Sequence, residues 1–505
     1  MRLPRGIFGF LIYTALLLLA LALLPREALN SHSRQFIFII GGLALWRYGW
    51  GLTHYLRHLI YRFYTFPRWR SIATTYESEL LPSHIYFLIT SFRIEEKTTL
   101  AVYRAALREA SACAIPSTVI ASIVDDRDEE LVKSLYDEFS HVETLTLRII
   151  KIPGTGKRDA LAQGFRAISR SFPSEDALVA VIDGDSVLSD GLIRKCVPFF
   201  KTMPNLGALT TDEICQVEGS RMIREWHDMR FAQRQILMCS LALSRKVLTL
   251  TGRMSIFRAD IVTDRDFIHA VQEDKLDHWR LGEFKMLTGD DKSSWYWVLK
   301  NGWDMIYVPD ATVMTIEHPP HANFFKATTM LMFRWFGNML RTNGRALKLG
   351  PAKMGFFTWW CLLDQRISMW TSLSGPVFVL FIALKHSLAF LPVYIVWIGL
   401  TRWIMTILLV TTRPVLSAWY PFLLFYNQIW GSMIKTYVMF RLDRQSWTRQ
   451  KTSLIRDLTS LEQRWQNFSS ALTHSAAAIV FILVIGILSG VISPPDAVAD
   501  FLFRF

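Results

Sequence analysis

Four short stretches place acidic or basic residues where chemistry could occur. "VIDGDS" gives Asp183-Gly184-Asp185, two carboxylates one residue apart at the end of an apolar run. Both could reach one hard divalent cation that keeps positions open for phosphate oxygens. The same spacing is also common in solvated turns. "SIVDDRDEE" puts Asp125 and Asp126 after another apolar run. They could accept hydrogen bonds from a nucleobase or ribose, or cap the helix that follows. "PGTGKRDAL" sets Lys157 and Arg158 at a helix start, where free N–H groups and the helix dipole suit a diphosphate. It is not a Walker A loop, and a basic surface turn is the competing reading. In "TGDDKSSWYWVLKNGW", Asp290 and Asp291 open a helical pattern. One acid would suffice as a cap. Two allow one to act as general base on a hydroxyl while the other orients it.

The elements around these residues predict how they are positioned. "HIYFLITSF", "STVIASIVDD", "LTLRIIKIP" and "ALVAVIDGDS" read as strands, separated by helical segments. Strands alternating with helices imply a largely parallel sheet, whose ligands bind beyond the carboxyl ends of its strands. Ser91, Asp125, Asp183 and Asp185 fall at those ends.

The chain of 505 residues is 51% hydrophobic and 20% charged, with a formal net charge of +13. That balance predicts a membrane protein carrying a sizeable soluble domain. Positive charge beside helix ends accounts for part of the excess, and anionic ligands for the rest. The five cysteines form no C-x-x-C pair, which argues against a disulfide framework or a zinc site. Apolar runs over 7–24 and 35–52 predict a membrane hairpin (1–66), and the basic residues flanking it put the following domain (67–320) in the cytoplasm. Further apolar runs lie at 367–384, 388–410, 414–434 and 476–492. The basic stretch 441–464 should share the cytoplasmic side, so one of the runs before it should be interfacial or re-entrant. Pro421, Asn427 and Gln428 point to 414–434. Residues 321–366 read as amphipathic helices lying on the membrane, ahead of a C-terminal transmembrane region (367–505).

These motifs in this order resemble the processive family-2 glycosyltransferases, the group of bacterial cellulose, chitin and hyaluronan synthases. The resemblance implies an α/β cytosolic GT-A glycosyltransferase domain inserted between transmembrane α-helices, with amphipathic interface helices. It implies that Thr90, Ser91 and Asp125 hold the nucleoside. Asp183 and Asp185 would bind Mg²⁺ or Mn²⁺ and the diphosphate. "GDD", Gly289-Asp290-Asp291, would supply the catalytic base, Asp291. "LMFRW" matches the acceptor motif in Arg334 and Trp335, with Leu331 where the family has glutamine. Arg334 would approach the diphosphate and Trp335 would stack on the acceptor sugar. "SWTRQ" resembles the gating segment (441–464), in which Trp447 and Arg449 would close over the nucleotide. Thr251, Gly252 and Arg253 fall where the acceptor-lining motif lies.

"RWFGNMLRTNGRAL" and "RLDRQSWTRQKTSL" look most like the alginate-producing branch. That likeness implies GDP-mannuronic acid as donor and a growing polymannuronate chain as product and acceptor. It implies a multi-pass protein of the bacterial inner membrane, embedded in phospholipid, with a c-di-GMP-binding co-polymerase subunit and no nucleic acid partner. A synthase using a UDP-sugar, a transporter without chemistry and a non-catalytic nucleotide-binding scaffold are the rival readings.

Overall fold

The computed structural model describes residues 4–24, 34–447, 452–453 and 459–493. Ten strands form between residues 85 and 317: β1 (Ile85–Thr90), β2 (Ser117–Ile123), β3 (Leu145–Lys151), β4 (Leu178–Asp183), β5 (Ser186–Leu188), β6 (Leu206–Val217), β7 (Met254–Arg258), β8 (Lys275–His278), β9 (Gly282–Lys285) and β10 (Asp304–Glu317). Eight of them make one sheet in the order β3-β2-β1-β4-β7-β6-β10-β5, and β8 with β9 makes a separate hairpin.

β1 lies parallel between β2 and β4, with Thr90 level with Ser122 on one side and Asp183 on the other. All six residues of β1 are buried. A strand covered on both faces reads as an unbroken apolar run, which is why "IYFLIT" shows no alternation. Each of its Ile, Leu and Phe side chains contributes about 1.5–3 kcal/mol through removal from water. β7 runs antiparallel to both β4 and β6, so the sheet is mixed. The β6–β10 pairing is parallel and slips in register between Val308 and Thr312. Helices Glu96–Ala112, Asp126–Asp137 and Lys157–Ser169 pack on β1 and β2.

Among the described residues, three helices are long and apolar enough to cross a membrane: Phe356–Lys385, Phe390–Leu409 and Ser460–Leu488. Ile7–Ala22 is also apolar but shorter. The stretch 414–434 divides. Residues 414–416 pair with the N-terminal segment, Arg5 N–H donating to Pro414 O (3.0 Å) and Leu416 N–H to Arg5 O (2.7 Å). The helix begins only at Tyr420 and runs to Met439. Its Gln428 accepts from Arg402 of the helix Phe390–Leu409, so this polar group is met by protein.

Residues 321–366 contain one long helix, Phe324–Leu347, and the start of another. That second helix runs unbroken from Phe356 to Lys385, past the junction that the sequence suggests near residue 366. Its charged first half is satisfied by neighbours: Arg366 donates to Leu340 O (3.0 Å) and Arg47 pairs with Asp364 (2.5 Å). With those charges met, no stop signal remains between the charged and the apolar half.

Candidate active site

β1 and β4 end side by side, and the chain turns at Gly184 between the two acids. A Cβ on Gly184 would stand 2.6 Å from Ser91 Oγ and 2.8 Å from the Thr90 carbonyl oxygen. Glycine therefore lets Asp183 and Asp185 lie directly against the end of β1. Gly184 N–H donates to Thr90 O (3.0 Å), and Asp185 O accepts from Ile316 N–H of β10 (2.9 Å). Asp185 is buried and Asp183 half-buried.

Lys157 opens the helix after β3 and reaches across to this edge. Its Nζ lies 2.6 Å from Asp183 Oδ1 and 3.0 Å from Asp290 Oδ2. Gly252, in the loop before β7, gauges how tightly these groups gather. A Cβ there would be 3.1 Å from Lys157 Nζ, 3.3 Å from Asp183 Oδ2 and 3.8 Å from Asp291 Cβ. Five residues from four distant parts of the sequence thus meet at one point.

Asp290 and Asp291 start the helix Asp290–Lys300, and Gly289 precedes them with φ +86°. That left-handed turn, rarely adopted by other residues, aims the first helical residues back toward the sheet. A side chain on Gly289 would also crowd Asn338, 3.1 Å away.

The two acids sit in opposed environments. Burial opposes ionisation of Asp290, but the Lys157 and Arg158 charges overcome it and hold its carboxyl below the usual range. Burial, then the neighbouring Asp290 charge, pushes Asp291 up. Asp183 is pushed up to about 6, by burial first and then by Asp185 and Asp290, against the pull of Lys157. Lys292 falls to about 8 through burial. Carboxylates driven apart in this way can divide the roles of fixed charge and proton acceptor.

Other candidate residues lie as follows. Thr90 Oγ1 is buried with no hydrogen-bond partner among the described residues, an orphan that a ligand could satisfy. Ser91 Oγ stands 3.5 Å from Tyr103 OH. Asp125 takes the N-cap position of the helix Asp126–Asp137 without a side-chain capping bond, half-exposed and 4.0 Å from Arg93. Thr251 Oγ1 is turned to Thr210 Oγ1 (3.2 Å). Arg253 is ion-paired with Glu213 (2.9 Å) and Glu317 (2.8 Å), so this chain's own acids neutralise it. Arg334 and Trp335 are half-buried on the helix Phe324–Leu347, where Trp335 stacks on Trp226 (centroids 5.8 Å apart, 16° between planes). Trp447 belongs to a two-residue strand paired with Thr452–Ser453. Arg449 lies outside the described residues.

Arg158 behaves unlike its neighbour. It is buried and donates to Val271 O (2.6 Å), Thr288 O (3.0 Å) and Ser293 Oγ (3.1 Å), bracing the loop ahead of Asp290. Several residues of this region carry no sequence signal of their role. Thr249 Oγ1 donates to Asp291 Oδ2 (3.3 Å). Thr288 Oγ1 donates to Asn338 Oδ1 (2.7 Å). Gln445 accepts from Leu287 N–H (3.0 Å) and donates to Lys285 O (2.9 Å), tying residues near 446 to this loop.

Among the described residues, no three His, Cys, Asp or Glu side chains gather as a complete metal cage. Asp183 and Asp185 nonetheless suit a divalent ion of the kind held by one or two carboxylates plus substrate phosphates. Asp290 and Asp291 add further negative charge nearby, with Lys157 as the cation bonded into the cluster.

A curled mixed sheet with acids at the ligand edge, followed by apolar helices, defines a GT-A-like glycosyltransferase. Residues 82–338 match the family model described as "Glycosyltransferase like family 2", and the chain belongs to that family. It is 48% identical over 487 residues to "Glycosyltransferase alg8" of Pseudomonas syringae pv. tomato, covering 96% of this chain and 99% of that protein. It is also 48% identical over 478 residues to "Glycosyltransferase alg8" of Azotobacter vinelandii, covering 94% and 97%. Among solved structures it is similar to the mannosyltransferase PcManGT from Pyrobaculum calidifontis in complex with GDP-Man and Mn²⁺. That similarity has a TM-score of 0.40 and 12% identity, over 76% of this chain and 98% of the other.

Proposed function

We propose that this glycosyltransferase polymerises GDP-mannuronic acid into β-1,4-polymannuronate, the precursor of alginate, and passes the growing chain out between its membrane helices. The observation that carries the chemistry is the meeting of Asp183, Lys157, Asp290 and Asp291 at one point. The near full-length relatives named "Glycosyltransferase alg8", together with the sequence likeness to the alginate-producing branch, support the donor.

In this mechanism Thr90, Ser91 and Asp125 receive the nucleoside. Asp183 and Asp185 hold Mg²⁺ or Mn²⁺, which when bound supplies positive charge to the diphosphate. Lys157 stands at the same edge and contributes a further cation. Asp291 accepts the proton of the acceptor hydroxyl as its oxygen attacks the anomeric carbon. One C–O bond forms, the bond to the diphosphate breaks, and GDP leaves with the electron pair. A single displacement inverts the anomeric centre, so an α-linked donor yields a β-linkage. Asp290, ionised against Lys157, fixes the geometry of its neighbour. Arg334 approaches the diphosphate and Trp335 supports the acceptor. Trp447 and Arg449 close over the nucleotide.

The catalytic domain faces the cytoplasm of a bacterial inner membrane, and regulation comes through a c-di-GMP-binding co-polymerase subunit. The test is to incubate the purified protein in lipid with GDP-mannuronic acid, GDP-mannose, UDP-glucose or UDP-N-acetylglucosamine and to identify the polymer. Polymannuronate from the first donor alone supports the reading. A polymer made from a UDP-sugar, or GDP released without any polymer, overturns it.

A further inference from the structure

Three arginines cluster on the acceptor side of the site, and two of them are spoken for. Arg234 pairs with Glu213, and Arg253 with Glu213 and Glu317. Arg230 sits one turn before Arg234 on the helix Arg221–Ala242, about 6 Å along its axis. Among the described residues it has no ion-pair or hydrogen-bond partner, and its Nη1 is buried. Its guanidinium lies over two indole rings, 4.2 Å from the Trp335 centroid and 4.7 Å from that of Trp226. Burial, with the Arg253 and Arg234 charges, pushes Arg230 down to about 9, so it remains cationic at neutral pH. A guanidinium resting over two indole rings, with a buried N–H group left unused, calls for an acceptor from outside the chain.

A second cation faces the same region. Lys435 lies on the helix Tyr420–Met439, with its Nζ 4.6 Å from the ring of Phe336, the residue after Trp335. It feels the charge of Arg230 and makes no ion pair among the described residues. The acid that acts on it electrostatically, Asp364, is already paired with Arg47. Two unneutralised cations over an aromatic floor, where three helices meet, form a site for a planar anion attached to a ring.

We infer that Arg230 and Lys435 form a carboxylate-binding subsite for the uronate residues of the growing chain, with Trp335 and Phe336 as its apolar floor. The inference rests on the uronate reading of the proposed function and names residues that select the acceptor. Arg230 offers its N–H fork to the carboxylate, and Lys435 supplies a point charge beside it.

The experiment uses the full chain in lipid nanodiscs and measures binding of tetramannuronate and of the same tetrasaccharide reduced to neutral mannose units. Melting temperature and GDP binding serve as controls. Wild type is expected to bind the charged oligomer about 10–100-fold more tightly than the neutral one, the scale of a charge-assisted hydrogen bond. Arg230→Gln and Lys435→Gln should each lower that ratio by about tenfold or more, with neutral binding, GDP binding and melting unchanged. Arg230→Lys should keep part of it. A wild-type ratio in both Gln variants overturns the subsite. So does equal loss of both oligomers in both variants, which would mark Arg230 and Lys435 as structural. If wild type polymerises GDP-mannuronic acid yet binds both oligomers alike, the subsite fails and the function stands. If it does not use that donor, the function fails and takes the subsite with it.

Discussion

Lys157 Nζ lies 2.6 Å from Asp183 Oδ1, joining the helix after β3 to the end of β4 at the edge where a nucleotide would bind. The same ammonium touches Asp290, so one cation links two acids drawn from distant parts of the chain. Asp290 is buried, and removing its ammonium partner leaves that carboxylate uncompensated, at a cost of about 3–5 kcal/mol. Lys157→Met should therefore lower the melting temperature and weaken GDP binding together. Thermal unfolding and calorimetric titration check this, and an unchanged melting point would show that the pair is dispensable.

Asp291→Asn keeps the shape of the side chain and removes the proton acceptor. Polymer synthesis should fall by about 10²–10⁴-fold, the scale of general-base catalysis. GDP affinity should stay near wild type, since the substitution leaves Asp183, Asp185 and Lys157 in place. Radiolabelled incorporation alongside GDP titration separates the two effects. A variant that still polymerises at the wild-type rate would move the base elsewhere.

Metal-dependent binding should carry the titration of Asp183. A metal-binding carboxylate must be ionised, and this carboxyl is raised to about 6. Below that pH a proton competes, so Mn²⁺-dependent GDP affinity should drop about tenfold per pH unit. Stability moves the other way. The folded state binds this proton more tightly than the unfolded chain does. The Asp183 contribution to stability is therefore greatest at low pH and declines as pH rises from the ordinary carboxylate range to about 6. Affinity measured from pH 5 to 8 tests the first statement. A flat profile, or an Asp185→Ala variant that retains metal-dependent GDP binding, would contradict the metal role of this pair.

Gly184→Ala asks for space that does not exist. The new methyl would stand 2.8 Å from the Thr90 carbonyl oxygen, a backbone atom in the buried sheet. Overpacking of this kind typically costs about 1–3 kcal/mol. The expected result is a lower melting temperature with a parallel loss of nucleotide binding, since Asp183 and Asp185 must shift. Wild-type binding in this variant would mean that the turn accommodates a side chain.

Much of the frame is legible in residue order. β1 and β4 announce themselves as apolar runs that end in a polar residue, because strands buried on both faces need no alternation. The acids at their ends follow from where such runs stop. The apolar helices that could cross a membrane read directly from their composition. Lys157 and Arg158 show the limit. They are adjacent, equally basic and equally placed at a helix start, yet one joins the carboxylates and the other is buried as a brace behind them. Successive helical residues point about 100° apart, and only the packing of that helix on β1 and β2 decides which of them faces the cleft.

Local order thus determined β1 to β4, the helix starts beside them and the candidate acids, because each depends on periodicity and on neighbours a few residues away. Tertiary structure alone decided which charges are spent and which remain available. Arg253 is neutralised by Glu213 and Glu317, while Arg230 is left on its two indoles. It also decided that Asp290 and Asp291, identical in type and adjacent in sequence, are driven to opposite sides of the ordinary carboxylate range. The proton affinity of a buried group is set by the charges and the desolvation around it, and those come from residues that folding alone brings within reach.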